Sequence, residues 1–223
     1  MNAGQFRLGH VPVRRLSFDE KAFDTLDERK AWLLGLLWAD GMLRPNRHGY
    51  TLALTSCEHD VVAALRETLS SRHKIRIHHE PTNQHQRVCY RLELRTRKLG
   101  PRLIEMGMKH PKAARTPPDI PAELVRHFIR GYFDGDGCVY GFLAKGKPSF
   151  GVCITGYDPI ISWMRIIFSD EEIVGSVQQI GPCEKFYLGK KATGKLYDYL
   201  YKDATVSLKS KQAKYERLDS GAV

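Results

Sequence analysis

The chain carries one nine-residue pattern twice, and this repeat constrains the fold more than any other feature. Residues 33–41 read LLGLLWADG, and residues 129–137 read IRGYFDGDG. In each copy two small residues lie four positions apart, and an aspartate and a glycine follow directly. Residues at this spacing share one face of a helix, so each copy predicts a helix with a narrow strip of small side chains. The two strips, Gly35 with Ala39 and Gly131 with Gly135, allow the two helix backbones to pack closely on each other.

Close packing of the two helices has a chemical consequence at their shared end. Asp40 and Asp136 follow the small residues directly, so a pseudo-two-fold pairing of the helices brings the two carboxylates side by side. Carboxylate oxygens are the ligands that divalent cations such as Mg²⁺ prefer. The repeat therefore predicts a shared metal site, and such a site suits cleavage of a phosphodiester.

Both nonapeptides resemble the LAGLIDADG motif of homing endonucleases. The 96 residues between Asp40 and Asp136 are similar to the spacing in the single-chain, two-motif members. The resemblance runs from about residue 20 to about residue 218, through ERKAWLLGLLWADG, MGMKHPKAARTPPDIPAELVRHFIRGYFDGDG and LYKDATVSLKSKQAKYERL. One departure occurs at the sixth motif position, which is often acidic in the family and is Trp38 in the first copy and Asp134 in the second. We expect Trp38 to pack in the core and Asp134 to be a polar group at the helix end, not a metal ligand.

The resemblance implies an α+β fold of two pseudo-symmetric αββαββα units. They are expected to pack through the two motif helices and to present saddle-shaped antiparallel sheets to DNA. Residues 1–110 are interpreted as the first unit, with an arm over residues 1–20, and residues 122–223 as the second. Residues 111–121 are rich in proline and are interpreted as the linker, with Pro121 opening the second motif helix.

The resemblance also implies the metal ligands and the basic residues of the site. The metal ligands are Asp40 and Asp136 with the carbonyls of the preceding residues, Ala39 and Gly135. Mg²⁺ fits this oxygen ligand set best, and Mn²⁺ or Ca²⁺ can take its place.

In the family a lysine near the start of the last helix of each unit assists the chemistry. The tail VSLKSKQAKYERL assigns this role to Lys209, with Lys211 as the alternative. In the first unit GMKHPKAAR offers Lys112 or Lys109. A helix-end charge or a phosphate contact is an alternative role for each of these lysines.

Two segments of the first unit predict a sheet with one apolar face and one cationic face. Charged and apolar residues alternate in KIRIHHE and in VCYRLELRT, and side chains alternate between the two faces of a strand. A two-stranded ribbon of this kind fits the major groove of DNA, where arginine reads guanine. His78 is expected on the cationic face and His79 in the core. The predicted DNA contacts are Arg44, Asn46, Arg47, His48, Lys74, Arg76, His78, Arg91 and Arg95 in the first unit, and Lys145, Lys147, Gln178, Lys185 and Tyr187 in the second.

The charge of the chain favours a polyanionic partner and is unevenly distributed. The net charge is +10 and the isoelectric point is near 9.4. Residues 1–116 hold 21 Lys and Arg against 12 Asp and Glu, whereas residues 117–223 hold 14 against 13. The two units are therefore expected to bind different DNA half-sites with different electrostatic strength.

Other classes of protein are disfavoured by the sequence. The five cysteines form no CxxC pair, which argues against a zinc ribbon, and their odd number argues against a disulfide framework. Most of the thiols are expected to be reduced and buried. No apolar run approaches 18 residues, and the N-terminus lacks the apolar core of a signal peptide, so an intracellular protein without a membrane span is expected.

These observations predict a monomeric, site-specific endonuclease that makes a staggered double-strand break in a long, asymmetric DNA target. One alternative is a non-cleaving binder of the same fold, either an RNA maturase or a transcription regulator. Another is the endonuclease domain of an intein, which the ends Met1 and SGAV do not favour. A free-standing, intron-encoded protein is the expectation.

Overall fold

The structure, a computed structural model, describes residues 17–81 and 86–221. The arm predicted over residues 1–20 lies mostly outside this range. No helix in the described part of the chain is both long and apolar enough to cross a membrane. The first unit consists of α1 (Glu28–Asp40), β1 (Gly41–Asn46), β2 (Gly49–Ser56), α2 (His59–Thr68), β3 (Arg76–Pro81), β4 (Gln86–Thr96) and α3 (Leu99–Glu105). The second consists of α4 (Val125–Asp136), β5 (Gly137–Ala144), β6 (Lys147–Gly156), α5 (Asp158–Asp170), β7 (Ser176–Ile180), β8 (Cys183–Leu188), α6 (Lys190–Tyr201) and α7 (Lys209–Asp219).

Each unit repeats the predicted αββαββα order around one four-stranded antiparallel sheet. The strand orders are β1-β2-β4-β3 and β5-β6-β8-β7, so the two sheets have the same topology. One face of each sheet carries apolar residues that pack against the helices, as the alternation in the sequence predicts. The α+β fold class is thus confirmed, with α7 added after the second repeat.

Two local expectations need correction. Pro121 does not open the second motif helix but caps a 3-10 turn over Ala122–Leu124, which continues into α4 at Val125. His79 is exposed and does not enter the core. Its strand, β3, is at the sheet edge, whereas the covering helix α2 packs on β2 and β4.

The motif helices α1 and α4 pack backbone against backbone at the predicted glycines. A Cβ atom placed on Gly35 would lie 2.0 Å from the Phe128 carbonyl oxygen. One placed on Gly131 would lie 1.9 Å from the Trp32 carbonyl oxygen. Both contacts are far shorter than real Cβ contacts, so this approach requires glycine at both positions. Trp38 is fully buried beside this interface, as expected.

The same interface contains a buried ion pair at the opposite end of the helices from the aspartates. Arg130 of α4 has no exposed side-chain surface and donates to the Glu28 carboxylate over 2.6 Å. It also donates to the Leu200 carbonyl over 3.0 Å. The carboxylate and the carbonyl engage the two terminal nitrogens of the guanidinium, whereas its buried Nε makes no hydrogen bond. The ion pair links the start of α1 to α4.

Substitution of Gly35 by alanine is expected to disrupt the helix interface. The added methyl would meet backbone atoms, which cannot rotate away, so we expect a loss of about 3 kcal/mol or more in the free energy of unfolding. The measurement is denaturant unfolding of both proteins. Gly194→Ala is the matched control, since Gly194 also lies inside a helix and the atom nearest to a Cβ there is the Tyr215 hydroxyl at 4.0 Å. Equal stability of the two variants would contradict close backbone packing.

Candidate active site

The packing of α1 on α4 places the two motif aspartates beside each other. Asp40 and Asp136 are the last residues of their helices. An Asp40 carboxylate oxygen lies 3.1 Å from the point where Gly135 would carry a Cβ, and the Ala39 Cβ lies 2.4 Å from that point. A side chain on Gly135 would therefore occupy the space taken by the end of α1. Glycine at this position lets the Asp40 carboxylate lie against the residue that precedes Asp136.

A concave basin of about 610 Å³ opens at the Asp40 end of this interface. Both units contribute to its walls. From the first unit come Asp40, Thr55, Ser56, Cys57, Glu58, Arg87 and Cys89, and from the second Asp134, Gly135, Gly137, Leu208, Ser210 and Lys211. The Cys57 and Cys89 sulfurs lie 3.2 Å apart in this wall. Of the five thiols only Cys89 and Cys153 are buried, so the expectation of mostly buried thiols is wrong.

The two carboxylates are held where negative charge is unfavourable. Burial, followed by repulsion from Asp136, raises the pKa of Asp40 to about 6. Burial also raises the pKa of Asp136, against the attraction of Lys112. The Asp40 carboxylate is open to the solvent of the basin, yet protein surrounds it on the other sides, which accounts for its raised pKa. Two neighbouring carboxylates that repel each other, with Asp40 at the wall of the basin, favour a bound cation.

The lysines predicted from the sequence divide into those at the site and those away from it. The Lys112 amine donates to an Asp136 carboxylate oxygen over 2.8 Å. Lys109, its alternative, is exposed. In the second unit the residue at the site is Lys211, given above as the alternative, whereas Lys209 is exposed at the first position of α7.

The Lys211 amine binds the end of the second motif helix. It donates to the carbonyl oxygens of Phe133, Asp134 and Gly137 over 2.7, 2.8 and 2.5 Å. These carbonyls include ones that a helix end leaves without an intrahelical partner. Burial lowers the pKa of Lys211, and the nearby Asp134 and Asp40 carboxylates oppose this shift. The amine thus stabilises the helix end that carries Asp136 and brings positive charge to the site.

Arg115 binds the end of the first motif helix in the same way as Lys211 binds the end of the second. The sequence did not reveal this role. Its guanidinium donates to the carbonyl oxygens of Leu37, Trp38 and Gly41 over 3.2, 2.5 and 2.6 Å. These three acceptors lie 96 positions before the three that Lys211 binds, and Arg115 lies 96 positions before Lys211. A search for basic residues at the spacing of the two aspartates would have found this pair.

Asp134 is a structural residue of the helix end. It is 3 % exposed. Its carboxylate accepts hydrogen bonds from the Trp32 indole over 2.8 Å and the Tyr201 hydroxyl over 2.5 Å. The Leu208 backbone N–H donates to it as well, over 2.9 Å. Since these donors engage both of its oxygens, Asp134 acts as a buried bridge between α4 and the C-terminal segment. From the sequence it was expected only as a polar group at the helix end that is not a metal ligand.

The residues present fit a hard divalent cation. The described residues contain no cluster of three or more His, Cys, Asp or Glu side chains that could hold a metal by itself. The candidate ligands are instead the two aspartates, one from each unit, with the carbonyls of Ala39 and Gly135. In the sequence, Ala39 lies between two residues whose carbonyls Arg115 binds, Trp38 and Gly41. Gly135 likewise lies between Asp134 and Gly137, whose carbonyls Lys211 binds. An all-oxygen set with two repelling carboxylates suits Mg²⁺, Mn²⁺ or Ca²⁺.

The outer face of the first sheet brings most of the predicted DNA contacts together. The strand register aligns Arg44 with Thr51, Thr51 with Arg95, and Arg91 with Arg76. Arg91 is already engaged, because it donates to Glu93 over 2.8 Å and to Thr55 over 3.2 Å. The remaining predicted residues are Asn46 and His78 on this face, Arg47 and His48 in the β1–β2 turn, and Lys74 just before β3.

Asn46 has a structural role that the sequence did not reveal. Its amide donates to the Thr51 hydroxyl over 2.9 Å, and its side-chain oxygen accepts from the His48 backbone N–H over 2.8 Å. These bonds brace the β1–β2 turn from both sides. The turn holds Arg47 and His48 in place at the end of the cationic face.

The predicted contacts of the second unit also share one sheet face. Gln178 pairs with Lys185 across β7 and β8, and Tyr187 lies two residues further along β8. Lys145 lies in the β5–β6 turn, with a positive φ of 52°, and Lys147 begins β6. These five residues include fewer charged side chains than the predicted contacts of the first unit, as the uneven charge of the chain predicts.

Comparison with known proteins supports the family resemblance. The profile of the LAGLIDADG-like domain matches residues 123–179. The fold is similar to that of the homing endonuclease I-WcaI bound to its DNA recognition sequence, with a TM-score of 0.59 and 13% identity over 87% of this chain and 89% of that one.

Two further structures show the same fold. The meganuclease I-SmaMI bound to uncleaveable DNA gives a TM-score of 0.57 and 13% identity over 87% of this chain and 90% of that one. The I-LtrWI LAGLIDADG homing endonuclease bound to target DNA gives 0.55 and 12% over 86% and 89%. No curated protein matches the chain in sequence. The resemblance seen in the two nonapeptides is therefore confirmed: the second unit contains a LAGLIDADG-like domain, and the two units together have the fold of the LAGLIDADG homing endonucleases.

Proposed function

We propose that this protein is a divalent-metal-dependent endonuclease that makes a staggered double-strand break in a long, asymmetric DNA target. The observation that carries the proposal is the juxtaposition of Asp40 and Asp136, one from each unit, at the end of a shared helix interface. The structures of I-WcaI, I-SmaMI and I-LtrWI with DNA support the same activity. One copy of the chain supplies both aspartates, so a monomer completes the site.

The residues of the chain have distinct parts in this chemistry. Asp40 and Asp136 would hold the cation with the carbonyls of Ala39 and Gly135. A bound divalent cation supplies charge neutralisation at the phosphate and activation of water. Lys112 orients the Asp136 carboxylate through its 2.8 Å hydrogen bond and places a positive charge next to it. Because the Lys112 side chain is 37 % exposed, it is also accessible to a phosphate.

Each sheet is proposed to follow the major groove on one side of the cleavage site. A half-site of about one helical turn for each sheet gives a target of roughly 20 bp. The cationic face of the first sheet would supply phosphate contacts and guanine readout. Since the two units carry different side chains on these faces, the target is proposed to be asymmetric.

The direct test is to incubate the protein with a randomised duplex library and Mg²⁺, then to sequence the cleaved ends. The proposal expects one recovered sequence of about 20 bp, cut at offset positions on the two strands. Recovery of bound but uncut DNA would instead support the non-cleaving binder. The absence of any enriched sequence would contradict both.

Cleavage is expected to fail below about pH 6 without loss of the fold. Only the charged carboxylates hold a cation, so the rate should fall about tenfold per pH unit below the Asp40 pKa of about 6. That pKa is higher in the folded protein than in the unfolded chain, so the folded state binds the proton more tightly. Protonation of Asp40 therefore favours the folded state as the pH falls from about 6 toward 3.8.

The measurement is a pH–rate profile recorded together with thermal unfolding. Added Mg²⁺ should move the acid limit to lower pH, because the cation competes with protons for the carboxylates. A rate that does not change between about pH 5 and pH 7 would contradict the assignment of these carboxylates as ligands.

A further inference from the structure

The strand register allows the outer faces of the two sheets to be compared position by position. The first strands begin at Gly41 and Gly137, which pair with Leu54 and Ile154. These residues pair in turn with Leu92 and Phe186, so the two ladders superimpose strand by strand. Equivalent outer positions that carry charged, aromatic or large side chains include Arg44 and Tyr140, Asn46 and Phe142, Arg91 and Lys185, Glu93 and Tyr187, Arg76 and Gln178, and His78 and Ile180.

The chemistry of the two faces differs at every one of these positions except one. Arg91 and Lys185 are both cations, whereas the other positions change from charged or polar to aromatic, amide or aliphatic. The first face therefore presents guanidinium groups, and the second presents rings and one amide. At these positions the second unit lacks two of the guanidinium groups, Arg44 and Arg76, and also lacks the Glu93 carboxylate.

The aromatic residues of the second face form one cluster. The Tyr140 ring centroid lies 5.8 Å from that of Phe142 and 6.4 Å from that of Tyr187. Phe142 and Ile180 are each 42 % exposed. Tyr140 and Tyr187 are half-buried beside them. All four side chains lie on the sheet face opposite the core, which leaves Phe142 and Ile180 open to solvent. An exposed apolar cluster on an otherwise polar face indicates a contact surface.

The neighbouring side chains indicate that the partner is DNA and which bases it carries. Lys185 lies on the same face, and Lys145 and Lys147 lie at the end of the β5–β6 hairpin, so phosphates can be met on either side of the cluster. In the major groove an aromatic ring contacts the C5-methyl of thymine, and glutamine reads adenine through two hydrogen bonds. Arginine, by contrast, reads guanine.

We propose that the two units read half-sites of different base composition. The second unit recognises an A·T-rich half-site through thymine methyl groups at the Tyr140, Phe142 and Tyr187 cluster and through adenine at Gln178. The first unit recognises a half-site that contains guanines through Arg44, Arg76 and Arg95. This inference rests on the proposed endonuclease function and defines its DNA substrate.

The test replaces thymine by deoxyuridine, which removes only the C5-methyl group. In the preferred target obtained from the library, each replaced thymine under the aromatic cluster should weaken binding about fourfold, the value of one buried methyl group. Phe142→Ala should weaken binding to the thymine target and lose most of this sensitivity to deoxyuridine. Leu143→Ala is the matched control, since Leu143 is 73 % exposed on the opposite face of the same strand and should leave the sensitivity unchanged.

The outcomes separate this inference from the function on which it rests. The inference is supported if the cleaved target has one A·T-rich half and if replacement of thymine by deoxyuridine weakens binding only in that half. Cleavage of a target with guanine-rich halves on both sides, or equal affinity for thymine and deoxyuridine, overturns it and leaves the endonuclease proposal standing. Failure to bind or cleave any duplex overturns both.

Discussion

Replacement of Asp40 or Asp136 by asparagine is expected to abolish double-strand cleavage while DNA binding persists. Loss of a residue that merely orients a metal ligand lowers activity by about 10- to 100-fold, so loss of a ligand itself should exceed about 100-fold. Asparagine keeps the shape of the side chain but removes the charge that attracts the cation. Both single variants should lose cleavage, because the two units contribute one carboxylate each to the same site.

The stability of the Asp40→Asn variant separates lost chemistry from lost folding. Burial and repulsion from Asp136 make the Asp40 charge unfavourable in the folded protein, as its pKa of about 6 indicates. Removal of that charge should therefore leave the melting temperature at pH 7 unchanged or higher. Asp60→Asn is the matched control, since Asp60 is fully exposed on α2 and should keep full activity. Full double-strand cleavage by either active-site variant would refute a shared metal site.

The parts of the structure that the sequence predicted best are those set by local periodicity. The spacing of Gly35 and Gly131 predicted the close helix pair, since only a strip of small residues permits backbone contact. The alternation around Arg76 and Arg91 predicted a cationic sheet face, because strand side chains alternate strictly. Both patterns depend on helix or strand geometry alone.

The parts that the sequence did not determine depend on tertiary contacts. Periodicity could not separate Lys211 from Lys209, since both begin the same helix and only docking of α7 decides which amine reaches α4. Arg115 directly follows a short 3-10 turn over Lys112–Ala114 and has no helical pattern to mark it. His79 was expected in the core because charged and apolar residues alternate along its strand. That strand lies at the edge of the sheet, whereas the covering helix α2 packs on β2 and β4.

The pairing of Arg115 with Lys211 suggests how the two halves of the site are kept in register. Each cation binds three carbonyl oxygens at the end of the helix that carries an aspartate, and the carbonyls occupy equivalent positions. A rigid helix end fixes the direction of the following carboxylate. Because the same device is built with arginine in one unit and lysine in the other, we infer that donor geometry and charge matter more than the identity of the side chain.

Lys211→Met is expected to lower the cleavage rate by about 10- to 100-fold, the range typical of residues that orient metal ligands. The variant loses the donor to the Phe133, Asp134 and Gly137 carbonyls. It also loses a positive charge that lowers the pKa of both Asp40 and Asp136. The acid limit of the pH–rate profile should therefore move to higher pH, which a purely structural role would not cause.

Two matched variants complete this experiment. Lys211→Arg should retain most of the activity, since arginine already occupies the equivalent position, Arg115, in the first unit. Lys209→Met should leave both the rate and the acid limit unchanged, because Lys209 is exposed at the start of α7. Cleavage rates and pH profiles of the three variants, measured on the same duplex, give the answer. A large loss in Lys209→Met with little change in Lys211→Met would return the catalytic role to Lys209 and show that the amine bound to the helix end serves stability alone.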